Sequence, residues 1–566
     1  QSGDRVVAFM PNVPQTAIAF LACASLGAVW SVCSADMGPL AVLDRFRQIE
    51  PVLIVACDGY TYGGAEHDRM AVLAELLAGL PTLRDVVLWR NLDAAADPGA
   101  LASPTRRAHD FERLVASKQT LAPRSLAFDH PLWIVYSSGT TGLPKAIVHG
   151  HGGVMLEALK SGALHNNVGS SVDTGDRYHW YSSTGWIMWN SQMGALLGGT
   201  TVCMYDGSPA GPLSARAGAD RVVDWSTVWR FAAATGVTFF GAGAAFYASC
   251  LKEGVEPQQA GDLSAIRAIG STGSPLAVDC YEWIWDKLPK VDGRHVWLNP
   301  ISGGTDFAGA FVAGMATLPV VAGEMQCRCL GAAVEAWGEP DAEGHGESLV
   351  DAVGELVCTR PMPSMPLYLW GDEPPGPHGR RYHASYFDMY MSRDGRHPVW
   401  RHGDWIRITP RGGAIIYGRS DATINRHGIR MGTAELYRAV EALPEVLDSL
   451  VVDLEFLGSE SWMPLFVVLR DDMQLDDALA ARINAVIRQA LSARHVPNAI
   501  FQVKAVPRTL SGKKMELPVK KLLMGAPADD VFKTGAMANG ESVAWFIELA
   551  EKRAAGRPAS QRGALA

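Results

Sequence analysis

The stretch Tyr136-Ser-Ser-Gly-Thr-Thr-Gly-Leu-Pro-Lys145 decides how the chain reads. Gly139 and Gly142 let the backbone turn and bring its N–H groups close to an anion. Ser137, Ser138, Thr140 and Thr141 add hydroxyl donors, and Lys145 adds a point charge. The apolar run 132–135 before the loop predicts a buried strand, and residues 146–148 after it predict another, so the loop joins two strands. A mononucleotide loop of the G-x-x-x-x-G-K-[ST] type instead opens a helix and places a hydroxyl directly after its lysine. Here Ala146 follows Lys145. Taken alone, the segment reads equally as a phosphate cradle or as a plain glycine-rich turn.

Working outward, short apolar runs at 6–10, 52–56, 85–89, 133–136, 201–204, 239–242 and 268–269 alternate with helical patterns such as 15–26. That alternation predicts α/β architecture with buried sheets. Residues 91–107 and 361–381, rich in Pro, Gly, Ala and Asp, predict loops. After Gly418 the pattern changes. Helices are expected at 434–442 and 477–492, strands at 449–454 and 464–469, enough for a small α+β domain. A further helix is expected at 541–553, followed by a disordered tail. The domain expectation is therefore 1–418 and 419–566.

The chain has 566 residues, 48% of them hydrophobic and 19% charged, with a net charge of −9. The length suggests about three to four structural units, and the acidic balance gives no support for a nucleic-acid partner. Nine cysteines, with no C-x-x-C, fit a reducing cytoplasm better than a disulfide framework. Cys327 and Cys329 alone are too few for a zinc site. The uncharged stretch 6–35 is broken by Pro11, Asn12, Pro14 and Gln15 and lacks a basic leader, so a strand, turn and helix explain it better than membrane insertion. A start at Gln1, almost inside a strand, leads to the expectation that a segment precedes it.

Several weaker motifs follow in order. Gly270-Ser-Thr-Gly-Ser-Pro-Leu276 could lie flat against a planar ligand. Ser302-Gly-Gly-Thr-Asp306 sets a hydroxyl beside a carboxylate, a pair suited to phosphate and magnesium. Asp404 in Arg401-His-Gly-Asp-Trp405 could accept ribose hydroxyls. Arg419 and Asp421 stand at the proposed domain junction, Arg430 follows, and Thr509-Leu-Ser-Gly-Lys-Lys514 lies near the end. Each reads singly as an ordinary turn or solvated charge.

In sequence, these motifs resemble the acyl-adenylate-forming superfamily over nearly the whole chain, and within it the acetoacetate-activating acyl-CoA ligases. The resemblance implies a large N-terminal α/β domain, with two helix-packed sheets and a small β subdomain, and a small mobile C-terminal α+β domain. It implies ATP, Mg2+ and CoA as cofactors and acetoacetate as the acyl substrate, with products AMP, pyrophosphate and acetoacetyl-CoA. Ser137 to Lys145, with Ser138, Gly139, Thr140, Thr141 and Gly142, would hold the ATP phosphates. Gly273, Ser274 and Pro275 would flank adenine, with Ile416 packed on it. Asp404 and Arg419 would take the ribose, Thr305 and Arg430 the α-phosphate, and Asp306 the magnesium. Lys513 would serve adenylation, Asp421 would be the hinge, and Gly428 would line the CoA channel.

By the same resemblance the acyl pocket would be walled by Trp186, Ile187, Met188 and Thr272, with Gly303 where acetate-specific relatives carry a Trp. The smaller residue would leave room for a larger acid. A ligase for another short or branched acid, and a non-catalytic binding protein on the same fold, are the competing readings.

Overall fold

The strand Arg5–Phe9 lies within an eight-stranded sheet and feeds two cores at once. Val7 and Phe9 pack with Ile54, Ala56, Val86 and Leu88 on one face, while Val6 and Ala8 pack with Val55, Cys57, Val87 and Trp89 on the other. Period-two alternation of apolar residues on both faces is what a parallel sheet covered by helices requires. The computed structural model describes all residues except 118, 138–142, 212–222, 274, 377–378, 421–423, 427–428, 432, 455–460, 472, 509–513, 533–538 and 556–566. The described chain divides into two compact units, one of residues 1–137 and 144–420, the other of residue 143 and the described residues from 421 onward.

In the first unit the eight-stranded sheet runs Tyr368–Leu369, Lys145–Gly150, Pro131–Ser137, Val29–Cys33, Arg5–Phe9, Leu53–Cys57, Asp85–Trp89, Arg107–Asp110. Its pairs are parallel except at one edge, where Pro131–Ser137, Lys145–Gly150 and Tyr368–Leu369 run antiparallel. A second, five-stranded parallel sheet runs Thr201–Val202, Arg177–Trp180, Phe239–Gly243, Ala268–Thr272, Trp297–Pro300. A six-stranded antiparallel sheet is built around Val353–Cys358 and Pro398–Ile408. The first helix, Pro14–Leu26, has Pro at its first position and ends on Gly27 at φ 73°, whose N–H caps the last carbonyls. Proline at the start and a left-handed glycine at the stop explain both ends.

Two glycines have a packing reason. A Cβ at Gly241 would sit 2.1 Å from the Trp180 ring, and one at Gly270 would sit 2.6 Å from it. The register aligns Trp180, Gly241 and Gly270 on neighbouring strands. The fully buried indole thus lies across a groove that only glycines leave open.

The loops expected at 91–107 and 361–381 contain more structure than their composition suggests. The first holds a 3-10 turn, Pro98–Leu101, capped by the Asp97 carboxylate, which accepts from the Gly99 N–H. The second contributes the edge strand Tyr368–Leu369 and the start of the helix Arg380–Tyr386. Asp372 accounts for that helix: its carboxylate accepts from the backbone N–H groups of Glu373, Arg381 and Tyr382 at 2.9, 3.0 and 2.7 Å.

The second unit has a three-stranded sheet, Val446–Val451, Pro464–Leu469 and Ala499–Gln502, with helices that include Thr433–Glu441, Asp477–Ala490, Glu516–Leu523 and Val543–Ala555. The strand expected at 449–454 begins three residues earlier. Its core gathers Leu450, Val452, Leu454, Phe466, Val519 and Phe546.

Candidate active site

Ser137 ends one strand, Lys145 begins the next, and the two are register partners across the antiparallel pair. Alternation then puts Ser137 with Lys145, Val135 with Ile147 and Trp133 with His149 along one face. This face meets the 3-10 turn Thr305–Phe307. The Asp306 side chain is 8% exposed, and its Oδ1 lies 3.6 Å from the Lys145 ammonium. The Ser137 hydroxyl donates to the same oxygen at 3.4 Å and the Tyr386 hydroxyl at 2.7 Å. Lys145 Nζ also sits 4.7 Å from the centre of the Tyr386 ring, a cation–π distance.

Beneath this cluster, His149 is fully buried. The Trp133 indole N–H donates to His149 Nδ1 at 3.1 Å, and His149 Nε2 lies 3.0 Å from the Asp306 carbonyl. An indole nitrogen only donates. Nδ1 is therefore the acceptor, and Nε2 carries the proton and donates to Asp306. Burial pushes the His149 imidazole down to about 4, so the ring is neutral at physiological pH and acts as a fixed backbone support.

The segment 302–307 is joined to the strand Pro398–Ile408 by another close approach. A Cβ at Gly304 would lie 2.6 Å from the His402 ring. His402 lies edge-on to Phe311 and 3.5 Å from the Asp404 carboxylate, which is buried. Asp404 is the register partner of Arg419, and Ile406 of Ile416. Ile416 is half-buried against the core below. Glu355 Oε1 braces this junction by accepting from the Gly403 N–H and the Ser420 hydroxyl, both at 2.9 Å.

The expected acyl-wall residues gather at the second sheet. Trp186, Met188 and Ile301 pack on Tyr178, Trp180, Phe239 and Ala268. Thr272 ends its strand and donates to the Ile301 carbonyl at 2.6 Å. Ile187 opens the helix Ile187–Ala195 and is half-buried. Gly303 stands at a register shift opposite Ala310, where a Cβ would meet the Gly309 carbonyl oxygen at 2.0 Å. Any larger residue there requires the two strands to part. Gly273 follows Thr272 with φ 92°, and Pro275 is half-buried.

Against this geometry, three comparisons with known proteins agree. A family model described as AMP-binding enzyme matches residues 1–297. A protein of Gallus gallus named acetoacetyl-CoA synthetase is 38% identical over 560 residues, covering 97% of this chain and 77% of the relative. The chain belongs to the AMP-binding enzyme family. A Rhizobium meliloti acetoacetyl-coenzyme A synthetase is 40% identical, with 97% and 78% covered. The solved structure of acetoacetyl-CoA synthetase from Streptomyces lividans matches with a TM-score of 0.67 at 46% identity, over 98% of this chain and 78% of that one. Enzymes of this kind, acyl-CoA synthetases, use ATP and CoA.

Of the residues expected to serve that chemistry, the structure gathers Ser137, Lys145 and Asp306 in one cluster, with Thr305 beside Asp306 in its turn. Ser138, Gly139, Thr140, Thr141, Gly142, Ser274, Asp421, Gly428 and Lys513 lie outside the described residues. Arg419 and Arg430 are described by backbone alone, in the strands Ala414–Arg419 and Ile429–Met431. Sequence reasoning missed Tyr386, His149, Trp133 and Glu355. A signal existed for His149: it lies four residues after Lys145, a spacing that puts both on one strand face. Tyr386 lies 80 residues from Asp306 and carries no local mark.

One expected outcome follows from the buried imidazoles. His179, with Nδ1 2.8 Å from the Cys203 carbonyl, is pushed down to about 4 by burial, like His149. In the unfolded chain both titrate near about 6.5. Between those values the unfolded state binds more protons, so stability falls as pH drops from about 6.5 towards 4. Thermal melts at pH 7, 6 and 5 should show a falling melting temperature. The slope should be shallower in His179→Gln, and an equal slope there would contradict the assignment.

Proposed function

We propose that the chain is an ATP-dependent acetoacetate–CoA ligase that forms acetoacetyl-CoA, AMP and pyrophosphate through an acetoacetyl-adenylate. The observation that carries this reading is whole-chain similarity, over 97% of its length, to proteins named acetoacetyl-CoA synthetase. The Lys145–Asp306–Ser137 cluster at the end of a strand pair supports it, because a phosphate chain needs a cation, a hydroxyl donor and a partner for its metal in one place.

Among the described residues no group of three or more His, Cys, Asp and Glu side chains can hold a metal on its own. A single buried carboxylate beside a hydroxyl fits instead a magnesium ion that arrives with the nucleotide and keeps most of its phosphate and water ligands. When bound, that ion would neutralise charge on the phosphate oxygens. Asp306 would hold it, Lys145 and the residues 137–142 would hold the leaving pyrophosphate, and Thr305 and Arg430 would bind the α-phosphate. The substrate carboxylate attacks the α-phosphorus and expels pyrophosphate, with Lys513 neutralising the charge brought together. The CoA thiol then attacks the acyl carbon and AMP departs. Asp404 and Arg419 would take the ribose, and Gly273, Ser274, Pro275 and Ile416 the adenine. Gly428 and Asp421 would serve the thioester step as channel and hinge.

Trp186, Ile187, Met188, Thr272 and Gly303 would wall the acyl pocket. A difference of one methylene in such a pocket discriminates by about 1–3 kcal/mol. Acid-dependent pyrophosphate release should therefore favour acetoacetate over the shorter acetate by about 10-fold or more. Equal rates for acetate would overturn the choice of substrate, and no release with any acid would overturn the enzyme reading. None of the nine cysteines forms a disulfide, and among the described residues no helix is long and apolar enough to cross a membrane. Both are compatible with a cytoplasmic setting, which we include in the proposal.

A further inference from the structure

The helix Arg380–Tyr386 is not part of any motif that the reaction calls for, yet its last residue reaches the centre of the site. Tyr386 is 3% exposed. Its ring stacks on Trp400 at 3.9 Å between centroids and 8° between planes. That stacking fixes where the hydroxyl points, and the point is Asp306 Oδ1, 2.7 Å away. The Asp372 carboxylate, by capping the first turn of the helix, sets its position. Lys145 also meets this ring, its ammonium 4.7 Å from the ring centre and 3.6 Å from the same carboxylate oxygen.

We propose that Tyr386 is a positioning residue: its hydroxyl turns the Asp306 carboxylate and its ring steadies Lys145, so that Tyr386 sets the affinity of the site for the magnesium complex of ATP. This rests on the ligase reading above only for the nucleotide it names. The physical reason is the one that governs partners of metal ligands generally. A carboxylate free to rotate pays for ordering when a cation binds, whereas one already held by a donor does not, and losing such a partner costs about 10–100-fold in metal affinity.

Tyr386→Phe removes one oxygen and keeps the ring that stacks on Trp400. In the full chain it should raise the magnesium concentration for half-maximal acid-dependent pyrophosphate exchange about 10-fold. The KM for acetoacetate and the melting temperature should stay at wild-type values. Calorimetric titration with ATP should show weaker binding in magnesium and unchanged binding in EDTA. In an Asp306→Asn background, the added Tyr386→Phe change should produce no further shift, because the charge it orients is gone. An unaltered magnesium curve in Tyr386→Phe would overturn the proposal, and so would a shift of full size on top of Asp306→Asn. If wild-type protein were silent with every acid, the ligase reading would fail, while the calorimetric arm would still decide the role of Tyr386.

Discussion

Replacing Lys513 by Ala is expected to slow acyl-adenylate formation by about 10²–10³ while leaving thioester formation from supplied acetoacetyl-adenylate close to wild type. In the first half-reaction a carboxylate must approach an α-phosphate that is itself negative, and the transition state concentrates that charge. A lysine placed there acts on the transition state more than on either ground state, which is why its loss appears in kcat rather than in substrate binding. In the second half-reaction a thiol attacks an acyl group already activated, and the same charge problem does not arise. Acid-dependent pyrophosphate exchange measures the first step, and AMP release from synthetic acetoacetyl-adenylate with CoA measures the second. Equal losses in both would remove Lys513 from its proposed role, and unimpaired exchange would do so outright.

The parts of this molecule that were legible in its sequence are those whose cause is local. The apolar runs on either side of residues 136–145 announced the strands Pro131–Ser137 and Lys145–Gly150, because an apolar run interrupted by a glycine loop has few other solutions. Thr305 and Asp306 were legible as adjacent polar groups after two glycines. The antiparallel edge strand Tyr368–Leu369 was not, since it is two residues long and exists only because the strand Lys145–Gly150 offers its backbone. Tyr386 was illegible for the same reason. Its role comes from a helix whose position is set by Asp372 and whose ring is set by Trp400, and no spacing in the chain encodes that meeting. Gly241 lay unmarked inside an expected strand and Gly270 in a motif that reads singly as a turn, but the cause of both is the Trp180 indole lying across them. At Gly303 the family resemblance implied a pocket widened by a small residue. The structure adds a backbone reason, because the Gly309 carbonyl already occupies the space a side chain would need.

Lys514, the neighbour of Lys513, is expected to give the opposite phenotype. Its side chain is 13% exposed, and its ammonium lies 2.6 Å from Glu441 Oε1, 3.0 Å from Asp448 Oδ1 and 2.5 Å from the Ser449 carbonyl. It also sits 3.6 Å from the centre of the Tyr437 ring. Arg508, its partner across an antiparallel bridge, donates to the other oxygen of Asp448 at 2.7 Å. Burial alone would raise the Asp448 carboxyl, but Arg508 and Lys514 together hold it below its usual value. Lys514→Met keeps the apolar stem against Tyr437 and deletes the charge, leaving Asp448 with Arg508 as its remaining cation and Glu441 with the Ser449 hydroxyl. A buried pair broken from one side costs about 3–5 kcal/mol. Partial exposure of both carboxylates and the remaining Arg508 pair reduce this to about 1–2 kcal/mol, still a measurable share of the stability of a small unit. Denaturant unfolding followed by hydrogen exchange in the strand Val446–Val451 should show that loss. The deficit should shrink as pH falls through the folded-state titration of Asp448, because a carboxyl held low contributes stability only while it is charged. Lys513→Ala should instead retain the wild-type protection of this strand. Wild-type protection in Lys514→Met would mean that the cation is dispensable to the fold, and would leave the two lysines without the proposed division between structure and chemistry.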